Sequence, residues 1–419
     1  MKRQISRHCW APVLILGLAL AAPCAGQVAT GQSAGAPAPA MATVPGMPRG
    51  ADPNNLYSEQ VAGRLSPTVA GDLPRVYVPH VKSNDVYVID PATFKVVDRF
   101  RVGINPQHVV PSWDLKTLWV ANNAEGRTDG SLTPIDPKTG KPGPAIPVDD
   151  PYNMYFSPDG QSAIVVAEAY KRLDFRDPHT MKLQSSLAAP RCGGINHADF
   201  SIDGRFAIFT CEFEGTVVKV DLVERKVLGY LQLIKPGLPT KTVQGFDGRD
   251  EVICTTWKGM PQDIRISPDG KLFYVADMMS NGLFVVDGES FRQIDFIPTG
   301  VGAHGLYPSR DGRKLYVANR GSNKIHGPPR GKGSVSVIDF ATRKVEVTWP
   351  LTGGGSPDMG NVTADGKYLW LAGRYDNVVY AVDTTTGEIK SIPVGKEPHG
   401  LTVWPQPGRY SLGHTGNMR

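Results

Sequence analysis

The sequence predicts an all-β protein: a seven-bladed β-propeller of four-stranded antiparallel blades. Three observations carry that prediction. A short turn motif recurs about every 40 residues, an apolar β-branched strand follows each copy, and the chain finishes on a strand that has no blade of its own. The clearest copy is residues 260–300, MPQDIRISPDGKLFYVADMMSNGLFVVDGESFRQIDFIPTG. It reads as IRIS, a turn at SPDG, LFYVA, a turn at SNG, LFVVD, a third turn and RQIDFIP. These runs are rich in β-branched and aromatic residues and lack helical spacing of apolar positions. Pro268 presets the turn's φ, and Gly270 takes a positive φ without strain.

The turn returns as SPDG at 157–160, SIDG at 201–204, SRDG at 309–312 and TADG at 363–366, with a looser PSWD ending at Asp114. After each comes a strand: LWVANN, AIVVAEA, AIFTCEF, LFYVADM, LYVANRG, LWLAGRY. A third strand closes in Asp90, Asp221, Asp287, Asp339 or Asp383. Single sheets of this length cannot bury both faces, so they must stack on neighbours, and radial stacking gives a propeller. The first repeat, from Arg75, lacks an inner strand, and PHGLTVWP at 398–405 is an inner strand without a blade. Joining the two closes the ring and hides strand edges that would otherwise recruit other chains.

Ahead of the ring, residues 1–26 carry Lys2, Arg3 and Arg7, then APVLILGLALAA, then small residues. This is the pattern of a bacterial secretory signal, too short to span a bilayer. Cys24 offers a lipoprotein anchor, but Pro23 fits that processing badly, so cleavage after Gly26 is expected and the chain is read as periplasmic or secreted. Residues 27–73, rich in Gly, Ala, Pro and Ser, read as a flexible leader, with packing of NNLYSEQVAGRLSP along the propeller's outside as the alternative. The propeller occupies 74–405, and 406–419 is a glycine-rich tail that folds over a face or stays mobile. Of the formal charge of +5, three units belong to the signal, leaving +2. That balance marks no nucleic-acid partner, and the chain is read as a monomer serving a small ligand or a redox partner protein.

Two insertions break the period: 235–259 after blade four and 324–333 between the second and third strands of blade six. Propeller geometry puts both on the face where inner strands begin, and loops on a rigid scaffold carry function. Seven residues before each turn aspartate stand Gln107, Tyr152, Asn196, Gln262, His304 and Asp358, with His399 matching in the closing strand. The next positions are His108, Asn153, His197, Asp263, Gly305, Met359 and Gly400. So His108, His197, His304 and His399 come near the axis, joined by His80 and by His326 of the insertion. Converging neutral imidazoles hold zinc, copper or haem iron, and Met154, Met359 or Cys211 would favour copper. The plainer alternative is a wet channel whose histidines bond neighbouring carbonyls. Arg320 and Arg374, at ends of second strands, could clamp a carboxylate or phosphate or simply pair with nearby aspartates. Asp263 and Glu212 are candidate general bases. His179 falls on the opposite face, and His414, in the tail, has no place in this register.

Three cysteines follow the signal, Cys192, Cys211 and Cys254, near the histidine face. An odd number in an oxidising compartment implies one disulfide and one free or ligating thiol, and both Cys211–Cys254 and Cys192–Cys211 remain open. No nucleophile elbow, phosphate-cradling glycine loop or HExxH helix is present, which places hydrolase and nucleotide-binding chemistry low.

The units LYVANRGSN, GSVSVIDFATRKV, SPDGKLFYVAD and IPVGKEPHGLTV resemble the YVTN family of bacterial propeller repeats, over roughly residues 75–404. That resemblance extends to the haem-carrying propeller of cytochrome-type nitrite reductases, the copper-carrying propeller of nitrous oxide reductase and the large subunits of quinoprotein amine dehydrogenases. It implies an exported propeller whose histidine face holds a redox centre, copper or another transition metal or a haem-type tetrapyrrole. His108, His197, His304 and His399 stand where such relatives place ligands. The full histidine set of the nitrous oxide reductase cluster and a CxxCH haem attachment are both missing. Three readings follow: a periplasmic binder of a metal or metal-containing cofactor, an oxidoreductase or lyase using that centre, and a scaffold that docks a partner protein.

Overall fold

Six of the seven blades are built on the same clasp. In the computed structural model, which describes residues 41–245, 248, 250–414 and 416–419, the hydroxyls of Ser112, Ser157, Ser201, Ser267, Ser309 and Thr363 each donate to the aspartate two residues on, at 2.5–2.7 Å. Each also accepts the amide five residues on, at 2.9–3.1 Å, which fixes where the second strand starts. The expected signal at 1–26, with Cys24, lies outside the described residues.

Seven antiparallel blades result, and blade one takes its inner strand, Thr402–Trp404, from the far end of the chain. The remaining inner strands are Pro106–Pro111, Pro151–Phe156, Ile195–Phe200, Pro261–Ile266, Ala303–Pro308 and Pro357–Val362. Inner and second strands are buried nearly end to end, while outer strands such as Lys344–Pro350 face water. Blade two's outer strand is split into Lys141–Pro142 and Ile146–Pro147, because proline cannot donate to a ladder. The insertion after blade four forms a hairpin, Lys241–Gln244 with Asp250–Ile253.

Two expectations are corrected here. Within the stretch read as a flexible leader, residues 54–67 follow the alternative reading and pack against the propeller: Leu56 and Tyr57 are buried, the Leu56 amide donates to Pro268 O (2.7 Å), and the Tyr57 hydroxyl donates to Ile266 O (2.6 Å). One Leu–Tyr pair in a low-complexity run suffices, since burying each such side chain stabilises by about 1.5–3 kcal/mol. The tail is neither a surface flap nor mobile; it turns back into the channel. The Phe156 amide donates to Leu412 O (3.0 Å) and the His414 amide to Met154 O (3.1 Å), so the tail lines the free edge of blade three's inner strand. It then doubles back, with the Leu412 amide donating to Asn417 O. Gly413 sits at φ +94, and a Cβ there would come within 2.4 Å of Met154 O, so glycine is required for this approach.

Of the two pairings left open by the sequence, the structure contains Cys192–Cys211, with Cα atoms 4.8 Å apart, and Cys254 is a buried free thiol in the inserted segment. The bond joins the segment leading into blade four's inner strand to the end of its second strand. With a sequence separation of 19, loop-closure entropy implies a contribution of about 3 kcal/mol. Replacing both cysteines by alanine should lower the denaturant unfolding free energy by that amount and leave the unfolding transition cooperative.

Candidate metal centre

Consecutive residues of a regular strand point to opposite faces, so a channel lined by both counted positions needs an irregularity. The six complete inner strands supply it: where each begins, its pairing with the second strand slips by a bulge, for example between Pro106 and His108 and between Ile195 and Ala198. Neighbours such as Asn196 and His197, or Gln262 and Asp263, thereby both reach buried positions beside the axis.

Three imidazoles meet there. His108, His197 and His414 are fully buried, and each offers a ring nitrogen within 4.8 Å of the other two. Ring centroids are 4.4 Å apart for His197–His414, 5.1 Å for His108–His414 and 5.5 Å for His108–His197. His399 stacks beside His108 at 4.8 Å, and the Tyr152 ring packs edge-on against His108 at 5.6 Å and His197 at 6.2 Å. Gly400 makes room for this: a Cβ there would lie 1.9 Å from His108 Nδ1.

Hydrogen-bond partners settle the protons of His197, His399 and His414. Asn153 Oδ1 accepts the Met154 amide (2.8 Å), which turns its Nδ2 to donate to Nδ1 of both His197 (3.1 Å) and His414 (3.0 Å). His414 Nε2 stands 3.4 Å from Asp263 Oδ1, so the proton of His414 sits on Nε2 and the lone pair on Nδ1. A carboxylate behind an imidazole is the arrangement that orients metal-ligating histidines. His108 has no hydrogen-bond partner at either nitrogen, and His197 has none at Nε2. His399 Nδ1 donates to Gln107 O (3.2 Å), leaving Nε2 as its lone-pair nitrogen. The Asn153 amide thus occupies two imidazole lone pairs with partial positive charge, which is the demand a cation would meet. Burial lowers His108, His197, His399 and His414 well below the ordinary imidazole value and lowers His304 too, keeping the rings neutral at neutral pH.

The other candidates fall around this core. Asp358 is a hub: Arg320 Nη2 donates to its two oxygens at 3.2 and 3.0 Å, His304 Nδ1 stands at 2.8 Å, His399 Nε2 at 3.6 Å and Arg374 Nη1 at 3.7 Å. Burial alone would raise its carboxyl, but Arg320, His304 and His399 outweigh that and hold it well below the usual range. Asp263, expected as a general base, accepts the Ile264 and Leu306 amides at 2.9 Å each and stands behind His414. Glu212 stays at the channel mouth, bonded by Gln262 Nε2 and Asn196 Nδ2 at 3.0 Å each; burial raises its carboxyl and that of Glu168. His80 does not join the cluster: Nδ1 faces Asp85 at 3.0 Å and Nε2 accepts the Gly395 amide, which ties blade one to blade seven. His326 is exposed on the blade-six insertion. The soft donors are also elsewhere, with Cys211 in the disulfide, Met154 packed between blades two and three, and Met359 Sδ taking the Tyr307 hydroxyl at 3.4 Å. The sequence reading missed His414, and its one signal was the Gly413–His414 step in a tail too apolar at Tyr410 and Leu412 to stay in water.

Residues 251–407 match the family model described as a YNCE-like beta-propeller. The resemblance read from the repeats holds. Antigen Lp49 of Leptospira interrogans is 28% identical over 180 residues, 37% of this chain and 36% of that protein, so the match spans about a third of the relative's length. Two solved propellers superpose: hydrazine synthase of Kuenenia stuttgartiensis, at 18% identity and TM-score 0.52 over 70% of this chain and 87% of that one, and dihydro-heme d1 dehydrogenase NirN in complex with DHE, at 14% and 0.53 over 84% and 82%. These likenesses establish the fold. Among the described residues, His108, His197 and His414 form the group of donors that could hold a metal ion.

Two outcomes are expected. An imidazole whose folded value lies below its unfolded one, about 6.5, takes up protons on unfolding, so stability is lost as pH falls below that value, by up to about 1.4 kcal/mol per pH unit per ring. Thermal melts of metal-free protein should therefore fall steeply between pH 7 and 5, less so in His108→Asn. Gly400→Ala should displace His108 at a cost of about 1–3 kcal/mol, read as a lower midpoint in denaturant.

Proposed function

We propose that this chain is an exported propeller that holds one divalent first-row transition-metal ion on its axis, with His108, His197 and His414 as ligands. The observation that carries the reading is the convergence of three neutral, buried imidazoles from two blades and the tail, with a carboxylate behind that of His414 and ring nitrogens of His108 and His197 left without a hydrogen bond. An all-imidazole donor set suits copper(II), zinc or nickel, and copper binds tightest of these at a given site. His399 and His304, oriented by Gln107 O and Asp358, stand beside the three. Export is supported by the leader pattern of residues 1–26 and by the Cys192–Cys211 disulfide, which belongs to an oxidising compartment. When bound, such an ion supplies Lewis acidity or, for copper, one-electron redox chemistry; the chain itself supplies fixed imidazoles and keeps water away from them.

The test is equilibrium titration of untagged, chelator-treated protein with copper(II) and zinc. One ion per chain is expected, with affinity at least 100-fold weaker in His414→Gln and His197→Gln, and with binding weakened toward acid as the imidazoles protonate. Equal affinity in wild type and both variants, or no stoichiometric binding, would overturn the reading.

A further inference from the structure

We propose that the channel mouth beside the imidazoles binds a small oxyanion, a carboxylate or an inorganic anion of similar size, on Arg374 with Arg320 beside it. This deepens the metal reading, on which its place in the protein's function rests, by naming the class of ligand that would share the chamber with the ion.

The argument is one of charge and unmade hydrogen bonds. Two guanidiniums are sunk in the mouth, with side chains 3% and 13% exposed, and among the described residues Asp358 is the carboxylate within 4 Å of either. Asp358 is already shared: Arg320 takes both its oxygens, His304 stands at 2.8 Å and His399 at 3.6 Å. Arg374 reaches it only at 3.7 Å. Nε of Arg374 and Nε of Arg320 are buried without any hydrogen-bond partner. A guanidinium carries five donors and stays charged, so a buried one left short of counter-charge is costly. Glu212 and Glu168 do not supply it, because Glu212 is tied to Gln262 and Asn196, and burial favours the protonated form of both.

The two arginines are not equivalent. The insertion 324–333 reaches over Arg320, whose Nη1 lies 3.5 Å from Ile325 O, and the Tyr375 hydroxyl donates to the same oxygen. Tyr375 lies under both guanidiniums, its centroid 5.5 Å from Arg320 Cζ and 5.9 Å from Arg374 Cζ. Arg320 is thereby pinned to Asp358, and Arg374, partly open to the mouth, is left with its fork available for the paired oxygens of a carboxylate-like ligand.

Metal-free protein should show the site directly. Formate, acetate, nitrate and phosphate are compared with chloride at matched ionic strength, by thermal unfolding and by calorimetric titration. At least one oxyanion is expected to raise the midpoint beyond chloride. Arg374→Gln should lose that shift, bind at least tenfold more weakly and, in anion-free buffer, melt no lower than wild type, because an uncompensated buried charge has been removed. Arg374→Lys should retain part of the response. A purely structural arginine would instead give a lower midpoint in Arg374→Gln with the anion response intact. No oxyanion-specific shift in wild type, or an undiminished one in Arg374→Gln, overturns the proposal. Loss of metal binding with the anion shift retained would sink the metal reading and leave this one standing; metal binding without an anion response would do the reverse.

Discussion

Inner strands that converge on an axis form no ladders with one another, and apart from a bridge between His108 and Gly400 each presents a row of backbone donors and acceptors without a ladder partner. The chain answers with side chains. Asp199 accepts the Ile266 amide of the next blade, Asp263 the Leu306 amide, and Asn361 the Val403 amide, at 2.8–2.9 Å. The hydroxyls of Tyr155 and Tyr307 accept from Ala198 and Gly360 in the same way. The tail does the job for blade three with its own backbone. This belt is what holds neighbouring blades in register at the centre, and it forces polar residues into a region that is otherwise closed to water.

The site is built from the same belt. Asp263 serves both as the acceptor for blade six and as the group behind His414, and Asn153 bridges two imidazoles while its own carbonyl oxygen holds the Met154 amide. Groups that the architecture must fix for its own sake thereby fix the imidazoles, with little freedom left to lose on ligation. At the far end of the tail, Arg419 pairs with Asp199 and lies 6.0 Å from the Tyr57 ring, and Gln60 Nε2 donates to Met418 O. The packed segment 54–67 and the tail therefore brace each other beneath the cluster.

Such a cluster is costly to bury. Buried nitrogens of His108 and His197, and the Nε atoms of two arginines, have given up water without gaining a partner, and each such group costs about 1–3 kcal/mol. Polar groups added only to satisfy backbone edges would not be left in this state, as the fully bonded Asp199 and Asp263 show. Partly unpaired guanidinium and imidazole nitrogens gathered in one place are what the proposed ion and anion sites would use.

How much of this was legible depended on range. The turn clasp, the period and the orphan strand at 398–405 are local or repeated signals, so the blade number, the closure and the neighbourhood of His108, His197 and His399 followed from the sequence by itself. The proton-holding partners did not, because Asp358 and Asp263 face their histidines only once the blades close into a ring. His80 was misplaced for a similar reason: its carboxylate, Asp85, and the Gly395 amide capture it at the blade one and seven seam. The choice of Cys192 over Cys254 as the partner of Cys211 was decided by a Cα separation of 4.8 Å that no spacing reveals. The tail was decided by tertiary structure alone: repeats specify their own stacking, whereas a non-repeating segment goes wherever an unpaired edge and an apolar space are left to receive it.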